Sequence, residues 1–339
     1  GTINPQILKS IAAQTGIKLG EKLYSDSLGV KGSNADTYIG MMKSNVKSIV
    51  SALMDEKMKV ELGERNSSTL LDYLLYPFNY EFMRRALLLA LIIGIVGGVV
   101  GSYAILRGWA LLGDALSHSV LPGISIAYLL GLDLFLGALG AGLAASLGIG
   151  IIERRTKIKR DAIMGIVFTG AFALGLAMIS IIKSVAVDLF HILFGNILAV
   201  TLEEVILTIS LGIVTLITVL IFYRPLMIYS FDPVLANSLG LRTRLLHYLL
   251  MTLMTLAIVS ALKSVGIVLV VAMLITPASA AYLISKRLKD MMLKASIVGV
   301  LSSVIGLYLS FYLNISSGPS IVIVSTLIFL IILIYKKSI

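Results

Sequence analysis

The chain has 339 residues, 58% of them hydrophobic and 14% charged, and a mean hydropathy of +0.99. A balance this apolar excludes a water-soluble globular domain and defines an integral membrane protein. The net charge of +10 does not describe a nucleic-acid surface, because Lys and Arg fall in short clusters between apolar runs, as they do in cytoplasmic loops. The absence of cysteine excludes disulfides, thiolate metal sites and a cysteine nucleophile.

The chain opens at Gly1 without Met or a signal peptide, so a processed, truncated or engineered N-terminus is expected. Residues 1–60 read as soluble-protein sequence: "GIKLGEKLYSDSLG" as a turn and short strand, residues 34–58 as an amphipathic helix with Asp36 near its start. Together they predict a small α/β segment. Residues 61–80 form a linker and an aromatic-rich stretch, "YLLYPFNYEF", suited to a membrane surface.

Residues 81–339 form the membrane domain. A hydrocarbon core about 30 Å thick needs roughly 20 apolar residues per helix, and the alternation of a barrel strand is absent. The fold class is therefore all-α polytopic, with about nine spans near 86–106, 110–130, 135–152, 162–183, 204–223, 246–262, 265–285, 295–313 and 320–335. One assignment makes "ERRTKIKRD", Arg224, Arg242, Arg244, "SKRLKD", Lys294, Lys336 and Lys337 cytoplasmic, with an extracytoplasmic N-terminus and a cytoplasmic C-terminus. Arg84, Arg85 and Lys263 run against it. Gly94, Gly97, Gly98 and Gly101, and the third span's "GALGAGLAASLGIG", predict close helix packing inside one subunit rather than a dimer seam.

In "LLGDALSHSVLPG", Asp114 and His118 are four residues apart and share one helix face. They are the only acidic residue and the only histidine well inside an expected span. Ionisable groups at that depth mark ion paths or line bundle interiors. Carboxylate oxygen with imidazole nitrogen suits Zn²⁺, Mn²⁺ or Fe²⁺. A mutual hydrogen bond that neutralises both groups, a proton relay and a metal path all fit the spacing. Two ligands are too few for a tight site, but two copies about a two-fold axis would bring two Asp and two His. Gly113, Pro122 and Gly123 suggest an irregular segment around the pair.

No G-x-x-x-x-G-K-[ST] loop is present, so this chain does not hydrolyse ATP that way. The loop after the fifth span contains "FDPVLANSLGL", a short helix with Asp232 at the N-cap, Pro233 at N1 and Gly240 at C′. It is either an ATPase-docking element, with Leu235 and Ala236 in its body, or an ordinary ordered loop. His191 is a loop residue near the outer entrance; Glu203 and Glu204 complement a helix N-terminus; His247 is a helix-start residue; Trp109 is an interfacial anchor; the thirteen Met residues are packing.

The runs "GDALSHSVLPG", "LFGNILAV", "FDPVLANSLG" and "SVGIVLVVAMLITPASAA" resemble the zinc/manganese/iron ABC-transporter permease family over residues 77–335. The resemblance implies a homodimeric or heterodimeric permease, a separate ABC ATP-binding subunit, and an extracytoplasmic binding protein that delivers a zinc, manganese or iron ion. It places the family's membrane metal residues on Asp114 and His118 and its ATPase-contacting helix on residues 231–241. It also implies the plasma membrane of a prokaryote, with no tightly bound cofactor. Residues 1–55 resemble the C-terminal end of a metal-binding solute-binding protein, and one of that family's ligands falls on Asp26. The arrangement reads as a receptor–permease fusion in cis that lacks the receptor's upstream part, or as an accident of gene assembly. The rival readings are a non-transporting receptor or sensor on a permease scaffold and an intramembrane metal-dependent hydrolase, which lacks H-E-x-x-H.

Overall fold

The structure is a computed structural model that describes residues 76–181, 197–313 and 315–337, with residues 37, 40 and 43–48 nearer the N-terminus. The chain divides into two units, Gly1–Leu75 and Tyr76–Ile339. In the first, residues 40 and 43–48 are helical, within the expected amphipathic helix. The expected strand, Asp26 and His191 lie outside the described residues, and no strand occurs among the described ones.

The second unit is built from α1 (Glu81–Arg107), α2 (Ala110–Ser119), α3 (Leu121–Leu129), α4 (Leu134–Arg155), α5 (Arg160–Ile181), α6 (Leu202–Ile221), α7 (Tyr223–Phe231), α8 (Pro233–Ser238), α9 (Thr243–Val265), α10 (Ile267–Ile284), α11 (Leu288–Leu313) and α12 (Ser317–Lys337). With α2 and α3 taken together, nine segments among the described residues are long and apolar enough to cross a membrane. Each overlaps one expected span. The first begins at Glu81 rather than 86 and the eighth at Leu288 rather than 295, because each carries an ion pair along its first turns: Glu81 with Arg85, and Asp290 with Lys294 at 2.7 Å.

The interior is formed by α1, α2–α3 and α9, which are 67–72% buried within the chain, whereas α5 is only 17% buried. α1 lies against α10 and α11, and α9 against α4 and α6. Glycine makes the first of these contacts possible. A Cβ on Gly101 would fall on the Leu274 carbonyl, one on Gly98 on the Ser296 backbone, and Gly94 and Gly299 exclude side chains from each other. Gly123 of α3 and Gly137 of α4 do the same. The small-residue clusters thus pack helices within one chain, as their spacing predicts. Hydroxyls add cross-links in a medium without water: Ser303 donates to Ala90 O at 3.2 Å, Ser296 to Ile95 O at 3.3 Å and Thr208 to Ser260 O at 2.8 Å.

A short 3₁₀ turn, Tyr76–Asn79, precedes α1, and its rings stack on α11, Phe78 on Tyr308 at 5.9 Å and Tyr76 on Phe311 at 6.1 Å. The segment α7 is a helix the sequence pattern does not announce. Pro225 sits in its first turn, where no N–H is needed, and Leu226, Tyr229 and Ser230 bury one face. Gly98→Ala is expected to lower thermal stability in detergent by about 1–3 kcal/mol despite Ala's better helix propensity, because backbone blocks the methyl. Gly140→Ala, where a Cβ meets open space, should leave the melting midpoint at or above the native value.

Candidate metal path and docking helix

The site begins where α1 ends. Gly108, at φ 65°, reverses the chain through a Schellman motif: its N–H donates to Ile105 O at 3.1 Å, and that of Trp109 to Ala104 O at 2.7 Å. α2 then starts after Trp109 and is held by fully buried Leu112 and Leu116. This orientation leaves Asp114 and His118 on a common, partly open face, with 49% and 24% of their side chains exposed. Asp114 Oδ1 lies 3.5 Å from His118 Nε2, beyond the 2.7–3.2 Å of a good N–H···O bond. The two groups are within ion-pair distance of each other without a short hydrogen bond.

The His118 ring is walled by two aromatics of α5, Phe168 at 5.0 Å and Phe172 edge-on at 5.2 Å, while its buried Nδ1 has no partner among the described residues. Pro122 supplies no N–H to the His118 carbonyl, and the helix breaks at Val120 between α2 and α3. Among the described residues no group of three or more His, Cys, Asp or Glu could hold a metal, so one copy offers two donors here.

The second expected element is present as drawn. Asp232 Oδ1 accepts from the N–H groups of Val234 at 2.8 Å and Leu235 at 3.0 Å, and Pro233 opens α8. Gly240, at φ 76°, closes it with a second Schellman motif, Gly240 N–H to Asn237 O and Leu241 N–H to Ala236 O, both 3.0 Å. Ala236 is fully buried and anchors the helix, while Val234 is 75% exposed and Leu235 and Leu239 are at least half exposed. Between α8 and the end of α4 lies a cavity of about 810 Å³ whose lining includes Arg154, Arg242 and Arg244.

One single-residue reading needs correction. Trp109 is not an interfacial anchor: it is completely buried, under the guanidiniums of Arg107 at 5.5 Å and Arg160 at 5.6 Å. His247 lies near the start of α9 as expected, but it is buried there at 5% exposure, with Nδ1 2.8 Å from Tyr229 Oη and its ring edge-on to Trp109 at 5.4 Å. Tyr229 also accepts from Arg107 at 3.1 Å, and Arg160 donates to Glu153 and to the Arg107 carbonyl. Burial raises the Tyr229 phenol, which stays a hydroxyl. The charges of this cluster look like loop charges in the sequence, since no periodicity links Arg107, Glu153, Arg160, Tyr229 and His247. Its Arg107 Nε, Trp109 Nε1, Glu153 Oε2 and His247 Nε2 are buried with no hydrogen-bond partner among the described residues. Glu203 and Glu204 fit their expected place: Glu204 completes a capping box with Thr201.

Nine segments long and apolar enough to cross a membrane among the described residues, a broken second one bearing a carboxylate and an imidazole, and a capped helix in the loop after the fifth define the class, a polytopic helical membrane protein. Residues 79–336 match the ABC 3 transport family, and the chain belongs to it. Residues 1–52 match a second family, the periplasmic zinc-uptake complex component A. The manganese transport system membrane protein MntC of Listeria innocua is 50% identical over 259 residues, 76% of this chain and 92% of that one. The chelated iron transport system membrane protein YfeD of Yersinia pestis is 41% identical over 260 residues, 77% of this chain and 87% of that one. Among solved structures, a chain of PsaBC from Streptococcus pneumoniae in complex with Fab superposes with a TM-score of 0.70 at 44% identity, covering 78% of this chain and 95% of its own.

The cap geometry has a direct consequence. Asp232→Ala removes both hydrogen bonds at the start of α8 and should destabilise that helix by about 1 kcal/mol, read as faster amide exchange at Val234 and Leu235 with no change in α11.

Proposed function

We propose that this chain is the membrane permease of an ATP-driven importer of a divalent transition metal ion, with manganese as the cargo and iron and zinc as its competitors. The observation that carries the reading is the Asp114–His118 pair on α2, partly exposed on one face with its carboxylate oxygen and imidazole nitrogen 3.5 Å apart. Such a donor set suits these metals, and the names of the relatives favour manganese and iron over zinc. Two donors from one chain hold an ion weakly. A second permease copy across a two-fold axis completes a site of two Asp and two His that can still release it.

Energy comes from a separate ATP-binding subunit, because this chain has no phosphate loop. That subunit docks on α8, whose exposed Val234, Leu235 and Leu239 have no core to enter and whose base is fixed by Asp232, Pro233, Ala236 and Gly240. The Lys- and Arg-rich ends of the helices, and α8 beside Arg224, Arg242 and Arg244 in the sequence, then face the cytoplasm, and the N-terminus lies outside. There residues 1–52, with Asp26, belong to the solute-binding protein that hands over the metal, fused in cis.

The test is ATP-dependent uptake of manganese(II) by proteoliposomes containing this chain with the ATP-binding subunit and receptor of its own transporter. Asp114→Asn and His118→Ala should each reduce uptake by about ten-fold or more with unchanged membrane levels, the loss of roughly one charged ligand's contribution. Uptake at the native rate in both variants would overturn the metal path. Leu235→Gly should abolish the stimulation of ATP hydrolysis by the permease, and native stimulation would remove α8 as the docking element.

A further inference from the structure

The docking segment is tied to the metal pair through a buried polar cluster. Arg107, the last residue of α1, holds its guanidinium 4.5 Å above the Tyr229 ring and donates to its hydroxyl. Arginine has only donors, so the Tyr229 oxygen accepts from Arg107, and the same hydroxyl lies 2.8 Å from His247 Nδ1, within hydrogen-bond distance. His247 Nε2 lies against Gly150 of α4, one turn before Glu153. Arg160 joins Glu153 to the Arg107 carbonyl and lies over Trp109. Arg107, Trp109, Glu153, Arg160, Tyr229 and His247 thus form one contiguous cluster in which Tyr229 is the member contributed by α7.

The cluster sits where a movement has both an input and an output. Asp232 is at once the C-cap of α7 and the N-cap of α8, so α8 cannot shift without α7, and α7 is gripped through Tyr229. On the other side, both walls of the metal pair start in the cluster. α2, which carries Asp114 and His118, begins after Trp109; α5, whose Phe168 and Phe172 flank the His118 ring, begins at Arg160.

We propose that Tyr229 is the positioning residue that transmits movement of the docking helix to the Asp114–His118 pair, the Arg107–Tyr229–His247 chain acting as a latch between α7 and the helices α1 and α9. This rests on the reading of α8 as the ATPase-docking element. The latch moves no proton and touches no metal; it sets the position of α2 and α5 in step with α7.

The experiment uses the complete transporter in proteoliposomes and reads manganese ions imported per ATP hydrolysed. Tyr229→Phe removes one hydroxyl and leaves the ring over Arg107. It should lower that ratio about five-fold or more, in the range of coupling between linked sites, while the ATPase rate and the melting midpoint stay near native. His247→Ala should do the same, and His247→Asn, whose side-chain amide carries both a donor and an acceptor for the tyrosine hydroxyl, should restore the ratio. Thr208→Val deletes another buried interhelical hydrogen bond, away from α7, and should leave the ratio native. A native ratio in Tyr229→Phe, or an equal loss in Thr208→Val, overturns the latch. If Leu235→Gly loses ATPase stimulation while Tyr229→Phe keeps the native ratio, docking stands and the latch falls. If Leu235→Gly keeps native stimulation, the docking reading falls and the route through α8 falls with it.

Discussion

Two apolar helices in hydrocarbon gain nothing by hiding from water, so a bundle holds together only where backbones come close enough for dispersion and short polar links to act. In this chain that constraint is met by α1 against α10 and α11. Gly94, Gly98 and Gly101 remove the side chains that would separate the backbones, and Ser296 and Ser303 bridge the gap with hydrogen bonds. A fixed α1 fixes Gly108, and the tight reversal there determines where α2 starts and which face it presents. The position of the Asp114–His118 pair therefore depends on glycine contacts elsewhere in the bundle.

The same scarcity of water explains how polar residues are distributed. Most hydroxyls inside the helices return to carbonyls one turn back, as Ser117 does to Gly113 and Ser302 to Val298, and ask nothing of their neighbours. Some groups lack such a local outlet. Among the described residues these include His118 Nδ1, in the ring between Phe168 and Phe172, several atoms of the cluster around Tyr229 and Trp109, and, elsewhere, Tyr103 Oη, Ser146 Oγ, Ser285 Oγ and Ser325 Oγ.

The loop after the fifth span combines rigidity with exposure. Asp232 and Gly240 close both ends of a six-residue helix with backbone bonds, so it needs little tertiary support, and Ala236 anchors it. Its exposed Val234 and Leu235 are then carried on a stiff element rather than a flexible tip, a form suited to taking load from a partner.

Span number and order, the caps of α8, and the shared face of Asp114 and His118 were legible in the chain alone, because hydropathy, capping and the 3.6-residue period are local properties. The close packing of the glycine clusters was legible too, though not which helices they meet. Trp109, His247 and α7 were not. Tryptophan and histidine at span ends ordinarily face the headgroups, and nothing local shows that Arg107 and Arg160 will cover them from other helices. The aromatic walls of His118 likewise come from α5, some fifty residues away in sequence, through contacts that no single segment encodes. Local pattern determined the elements and the chemistry each carries; the packing of helices distant in sequence decided which polar groups are buried, paired or left open, because in a membrane only another helix can take the place of water.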